Sequence, residues 1–213
     1  MPEVTLERAR ARRRRHAFRR AGIVFIHVPR AAGTSVAETI YGGFLGHFTI
    51  DQVLRTNPED VLALPRFTIV RNPWDRAVSA FEFARAGGGI GDGSRRVRIA
   101  HPERYRGPTF SAFDRFVREF LATHEIERLD GVFRPQLYYV GSAGGTIPFD
   151  HIGRFDRLGE TEQWLSDTLQ RSIRFPRLNP TERLGYREYY TPELQRIVGD
   201  IYESGVKSFG FDF

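Results

Sequence analysis

Two short apolar runs, each followed at once by a helix-starting signal, constrain the fold of this chain more than any other feature. The first is Gly22-Ile-Val-Phe-Ile-His27 and the second is Arg66-Phe-Thr-Ile-Val70. Both are rich in β-branched and aromatic residues and short for helices, so they read as buried strands. After the first, Pro29 to Gly33 reads as a turn. A helix is predicted from about Thr34 to Tyr41, closed by Gly42-Gly43. After the second, Asn72-Pro73 sets proline at a first helical position, and Trp74, Ala77, Val78 and Phe81 follow at helical spacing. Residues 146–153 (TIPFDHIG) suggest a further strand, with a helix near Glu160–Gln170. Strands alternating with helices imply an α/β fold of three layers, a central parallel sheet flanked by helices.

The remaining segments fit around that frame. Residues 86–108, rich in glycine, arginine and proline, read as a long loop; a substrate lid and a plain insertion are both compatible with it. Thr109–His124 reads as one amphipathic helix whose stripe of Phe110, Phe113, Val117, Phe120 and Leu121 is core. A last helix is predicted from Thr191-Pro192-Glu193, burying Leu194, Ile197, Val198 and Ile201. No repeat or long low-complexity linker divides the chain, and 213 residues suffice for one domain.

Charge narrows the function. The net charge is +6, yet residues 1–20 hold eight arginines and two glutamates, while the other 193 residues carry 24 basic and 24 acidic side chains. The excess belongs to an N-terminal segment. Residues 1–20 are therefore expected to be a basic, flexible, solvated arm before a single domain over 21–213. Nucleic acid is not expected as a partner, although Arg12–Arg15 could touch nucleic acid or lipid headgroups. The absence of cysteine excludes disulfides and cysteine-bound metals. No run of about 18 apolar residues occurs, so no membrane span is expected. The basic N-terminus lacks an apolar segment of signal type, and a cytoplasmic location is the expectation.

Two segments carry chemistry. His27-Val-Pro-Arg-Ala-Ala-Gly-Thr-Ser35 joins the first strand to a helix. A turn there aims backbone N–H groups and the helix dipole at an anion. Gly33 permits close approach, Thr34 and Ser35 offer hydroxyls, and Arg30 offers a permanent charge. The mechanics are those of a P-loop without its Gly-Lys-Ser/Thr ending; a purely structural turn is the alternative. The second segment is Arg71-Asn-Pro-Trp-Asp-Arg-Ala-Val-Ser79. Arg71 follows a strand end, where ligands gather in open α/β sheets, and Ser79 lies about two turns into the next helix. An arginine fork with a hydroxyl suits a second phosphate. Alternatively, Arg71 pairs with Asp75 and Ser79 merely packs.

In this order the pair resembles the two phosphate-binding elements of sulfotransferases that use 3′-phosphoadenosine 5′-phosphosulfate (PAPS). It is most similar to the carbohydrate sulfotransferases and their bacterial relatives. Similarity continues through Arg134-Pro-Gln136, Asp150-His-Ile-Gly-Arg154, Leu178-Asn179, Tyr186-Arg-Glu-Tyr-Tyr190 and Phe209-Gly-Phe211. The resemblance implies a P-loop NTPase-like sulfotransferase fold. It also implies PAPS bound by Pro29, Arg30, Ala31, Ala32, Gly33, Thr34 and Ser35 at its 5′ end and by Arg71 and Ser79 at its 3′-phosphate. PAP would be the product, no metal would be required, and an acceptor hydroxyl on a carbohydrate would be the partner. Where that family carries lysine and threonine in the loop, this chain has Arg30 and Ala31. One lysine, Lys207, against 31 arginines makes compositional drift one explanation; lost activity with retained nucleotide binding is the other.

In-line displacement at sulfur would load charge onto the 5′-phosphate oxygen, for Arg30 to stabilise. The acceptor needs a general base. His47, in Gly46-His-Phe-Thr between the two elements, is the first candidate, and Glu38, one turn after Thr34, is the second. His27, His101 and His151 are weaker. A P-loop kinase and a non-catalytic nucleotide-binding protein stay open as alternatives.

Overall fold

A computed structural model describes residues 2–90, 96–99, 101–176 and 185–213. In chain order, α1 (Pro2–Ala21) precedes β1 (Val24–Ile26), α2 (Gly33–Tyr41), α3 (Ile50–Thr56), α4 (Glu59–Leu62) and β2 (Arg66–Val70). Next come α5 (Pro73–Arg85), β3 (Gly88–Ile90), β4 (Arg96–Arg98), α6 (Phe113–Arg115) and α7 (Leu137–Val140). β5 (His151–Arg154), α8 (Leu158–Leu169), α9 (Pro192–Ile201) and α10 (Glu203–Phe209) complete the order. The chain forms two compact units, Met1–Val70 with Tyr138–Pro176 and Arg71–Leu137 with Arg177–Phe213.

The first unit holds a small parallel sheet in the order β1-β2-β5 with its helices around it. This is the α/β architecture that the strand–helix alternation predicts. β2 lies in the middle because its run is apolar on both faces: Phe67, Thr68, Ile69 and Val70 are all buried. Phe25 faces Phe67 in register, their rings 4.8 Å apart, and the Thr68 hydroxyl donates to the Ile26 carbonyl at 2.9 Å. Tyr41, at the end of α2, is fastened to β1. Its hydroxyl donates to the Ile23 carbonyl (3.0 Å) and accepts from Phe25 N–H (2.8 Å), which fixes how α2 leaves the strand. Burial pushes the Tyr41 phenol far up, so it stays protonated and both bonds persist.

Residues 2–21 are helical, and the end of that helix buries Ala17 and Phe18. Phe18 packs within 5.8 Å of Tyr41 and 5.9 Å of Phe48. Two apolar residues at the end of an arginine-rich stretch suffice to anchor it, because a fully buried Phe contributes about 1.5–3 kcal/mol.

The second unit centres on phenylalanines. Phe81 of α5 lies 5.5 Å from Phe113 and 5.3 Å from Phe116, and Phe133 is fully buried among Phe110, Phe116 and Phe120. The predicted single helix over Thr109–His124 is broken accordingly. A 3-10 turn (Pro108–Phe110), α6, a π turn (Phe116–Phe120) and another 3-10 turn (Leu121–Thr123) replace it. The wider π turn puts Phe116 in the core and leaves Phe120 half-exposed, so packing around Phe133 overrides the simple period.

The expected loop over 86–108 is also corrected. β3 and β4 pair antiparallel, Gly89 opposite Val97, and Pro102–Tyr105 forms a 3-10 turn. Arg95 of the arginine-rich stretch and the Leu178-Asn179 motif lie outside the described residues. Trp74 anchors α5 through its indole N–H, which donates to the Gln195 carbonyl of α9 at 2.8 Å. Among the described residues, no helix is long and apolar enough to cross a membrane.

Candidate active site

In the first unit, β1 runs into the segment His27–Ser35 at the head of α2. Its backbone alternates in handedness: φ is +69° at Arg30 and +60° at Ala32, and negative at Ala31 between them. Such alternation turns successive N–H groups into an anion-receiving concavity. Ala31 N–H donates to the Val28 carbonyl at 3.3 Å and closes the turn. α2 starts with Ala32 as its N-cap, which offers no side-chain acceptor, and its first turn contains no acid. No capping side chain competes for the leading N–H groups or for the positive end of the dipole. Pro29, Ala31, Gly33 and Ser35 are buried, whereas Arg30, Ala32 and Thr34 are half-buried.

Gly33 has a second reason to be glycine. A Cβ there would lie 1.8 Å from His27 Cδ2 and 2.1 Å from its Nε2, so the imidazole fills the space another side chain needs. His27 is 8% exposed and its Nδ1 has no hydrogen-bond partner. Burial first, then the neighbouring His47 and Arg30, hold its pKa well below the ordinary histidine value. His27 is therefore a neutral wall of the loop rather than a solvent-facing base.

A pH dependence of stability follows. The folded pKa of His27 is depressed, so the unfolded chain binds the proton more readily. The stabilising contribution is complete above the unfolded value of about 6.5 and is lost as pH falls toward the folded value. Urea unfolding between pH 7.5 and 5.0 should show a loss approaching about 1.4 kcal/mol per pH unit below 6.5 from this group. His27→Phe should remove that increment; an unchanged pH slope would refute the assignment.

His47 is exposed, and its ring lies 4.5 Å from that of His27. Its Nδ1 is 3.3 Å from the His27 carbonyl oxygen. A carbonyl only accepts, so this contact keeps the proton on Nδ1 and the acceptor lone pair on Nε2. In that tautomer Nε2 is the nitrogen that can accept a proton. The structure thus brings His47 together with the first loop segment. Glu38 sits half-buried in mid-α2, one turn beyond Thr34.

The other histidines are occupied elsewhere. His151 stacks on Trp164 at 4.7 Å with its Nε2 3.0 Å from the Thr161 hydroxyl, and burial lowers its pKa. His101 is exposed, 3.4 Å from Glu103.

In the second unit, Arg71 and Ser79 are both buried, at 7% and 6% exposure. Arg71 Nε and Nη2 donate to the two Asp75 carboxylate oxygens at 2.6 and 2.9 Å, the internal pairing weighed as the alternative. Gln136, which sequence reasoning passed over as a site residue, clamps the same position. Its side-chain oxygen accepts from Arg71 N–H (2.9 Å) and its NH₂ donates to the Arg71 carbonyl (2.8 Å). The two residues are 65 positions apart, and only the recurrence of Arg134-Pro-Gln136 among the quoted motifs pointed to it. The N-terminus of α5 contrasts with that of α2. The Asn72 side chain accepts from Trp74 and Asp75 N–H, so this helix end is capped from within. An anion here would rely on side chains rather than on backbone N–H groups.

A small parallel sheet with helices around it, whose first strand feeds an uncapped turn of alternating handedness, defines an α/β protein. The chain belongs to the sulfotransferase family, whose model matches residues 17–212, starting at the buried pair Ala17 and Phe18. No curated protein and no solved structure matches the chain. Membership implies an enzyme that transfers a sulfuryl group to a hydroxyl-bearing acceptor.

Proposed function

We propose that this enzyme takes the sulfuryl group from PAPS and delivers it to a carbohydrate hydroxyl, with residues 21–213 working as one three-layer, P-loop-like domain. The observation that carries the donor assignment is the turn His27–Ser35. Two left-handed residues, an uncapped helix start and the Arg30 charge lie within one short segment. These residues fit a 5′-phosphosulfate group, and Arg71 with Ser79 receive the 3′-phosphate. His47 takes the acceptor proton as the acceptor oxygen bonds to sulfur and the sulfur–phosphate oxygen bond breaks. The electron pair leaves on the 5′-phosphate, where Arg30 and the loop N–H groups stabilise it. A kinase reading would need the Gly-Lys-Ser/Thr ending that this loop lacks.

The 3′-phosphate makes the reading testable without turnover. PAP at 100 times its Kd should stabilise the protein by about 2.7 kcal/mol, whereas ATP, lacking a 3′-phosphate, should do far less at equal concentration. A thermal-shift titration decides; equal shifts would favour the kinase.

The Arg71 fork gives a sharper test. Arg71→Ala should cost about 2–4 kcal/mol of PAP affinity, and Ser79→Ala about 1 kcal/mol. Because Arg71 also neutralises half-buried Asp75, the measurement belongs in the Asp75→Asn background as well. Calorimetric titration in which Arg71→Ala binds PAP like wild type would remove the 3′-phosphate role.

A further inference from the structure

The arginine run Arg12–Arg15 takes no part in the site described above, and the turns of α1 before Ala17 precede the stretch shared with the family. Those turns sort their side chains by side. At about 100° per residue, positions 11, 14 and 18 lie together, while 9, 12, 13, 16 and 20 fill about 100° of arc opposite them. Burial follows the same division. Ala11 and Arg14 are half-buried and Phe18 is buried, whereas Ala9, Arg12, Arg13, His16 and Arg20 are exposed.

The inner side is tied to the first unit. Phe18 packs on Tyr41 and Phe48, and the Arg14 guanidinium lies 4.9 Å over the Phe48 ring. Arg20 Nη2 donates to the Tyr41 carbonyl at 2.8 Å, and Arg19 Nε donates to Asp60 of α4 at 2.6 Å. α1 thus holds a ridge of cations on its outer side, about 12 Å long from Arg12 to Arg20. Among the described residues, no carboxylate pairs with Arg12 or Arg13. Arg12 and Arg15, like Arg10 and Arg13, stand three positions apart, a spacing at which like charges repel on a helix. Such a row costs the helix stability by itself, and an anionic counter-surface turns the cost into attraction.

We infer that α1 docks the enzyme on an anionic phospholipid surface, with Arg12, Arg13, His16 and Arg20 toward the headgroups. Guanidinium forks match phosphate and carboxylate oxygens, and phosphatidylserine carries both. The outer positions hold no large apolar side chain, so the helix rests on the headgroups without inserting. Outside residues 1–20 the chain carries 24 basic and 24 acidic side chains, so the attraction is confined to this ridge. A flat bilayer meets a ridge and little else. A nucleic-acid duplex suits it less, because a helix seated in a groove has phosphates along both flanks. There they would meet the exposed carboxylates of Glu59 and Asp60, the latter already in contact with α1. The docking stands apart from the donor and acceptor assignments.

Cosedimentation of the full chain with vesicles tests this, using phosphatidylcholine alone and an equimolar mixture of phosphatidylcholine and phosphatidylserine. The mixed vesicles should bind the protein at about 0.1 M salt and release it at about 1 M, where the Debye length falls to about 3 Å. Phosphatidylcholine alone should not bind it. Each arginine near the surface contributes a factor of about 5, so Arg12→Gln with Arg13→Gln should weaken vesicle binding about 25-fold. Arg12→Lys with Arg13→Lys keeps the charge and should bind within about 3-fold of the unaltered chain. An equal loss in the lysine variant would trace the effect to the fold and overturn the docking. Equal binding to both kinds of vesicle, binding that survives high salt, or an unaffected glutamine variant would overturn it too. So would capture by duplex DNA or heparin in place of the mixed vesicles.

Discussion

His47→Ala should lower sulfuryl transfer by about 10²–10⁴-fold while PAP affinity barely changes. The two readouts separate because a base faces the acceptor and touches no phosphate. The geometry supplies the reason for the size of the effect. The His27 carbonyl holds the proton on Nδ1, so the ring presents Nε2 as an acceptor without first having to exchange tautomers. Wild-type turnover should fall as acid protonates the imidazole, since a charged ring accepts no further proton. Glu38→Gln is the control. Turnover and pH profile surviving in His47→Ala but lost in Glu38→Gln would make Glu38 the base. Unfolding of His47→Ala is excluded by measuring PAP binding in the same sample.

Arg30→Ala should abolish transfer, and Arg30→Lys should retain or raise it. Charge develops on the leaving 5′-phosphate oxygen as the bond to sulfur breaks, and a charged donor at an oxyanion typically contributes about 2.7–4 kcal/mol to the barrier. Arginine presents a planar fork where the similar loops present a compact ammonium, so the lysine variant separates two histories. Activity in wild type shows that the fork substitutes for the point charge. An inactive wild type restored by Arg30→Lys would mark a protein that binds nucleotide without transferring sulfur. PAP binding retained in all three forms would locate the defect in the chemical step.

Much of this arrangement was legible from the chain because it is local. β2 falls where Arg66–Val70 was read, and α2 and α5 start within a residue of their expected positions. Apolar runs and capping residues act over a few neighbours, so their message survives without tertiary context. What escaped was set by distant partners. The break in the helix over Thr109–His124 depends on Phe133, and the clamp on Arg71 depends on Gln136. The pairing of β3 with β4 hides in a glycine- and arginine-rich stretch because each strand is only three residues long. At the site itself, the turn between β1 and α2 was readable, but the reason for Gly33 was not. The His27 ring that excludes a Cβ there lies six residues back, on the other arm of the turn.

The two left-handed residues also set terms for how the sequence can change. Neither Arg30 nor Ala32 is glycine, and each holds a conformation that costs an L-residue roughly 1–2 kcal/mol. Against a typical net stability of about 5–15 kcal/mol, that is a standing tax levied on the unliganded protein. Ala32→Gly would lift part of it, because glycine enters this region without steric penalty, yet it would also widen the range of shapes the turn samples. Selection for heat resistance alone would thus draw position 32 toward glycine, and selection for rapid turnover would hold it at alanine.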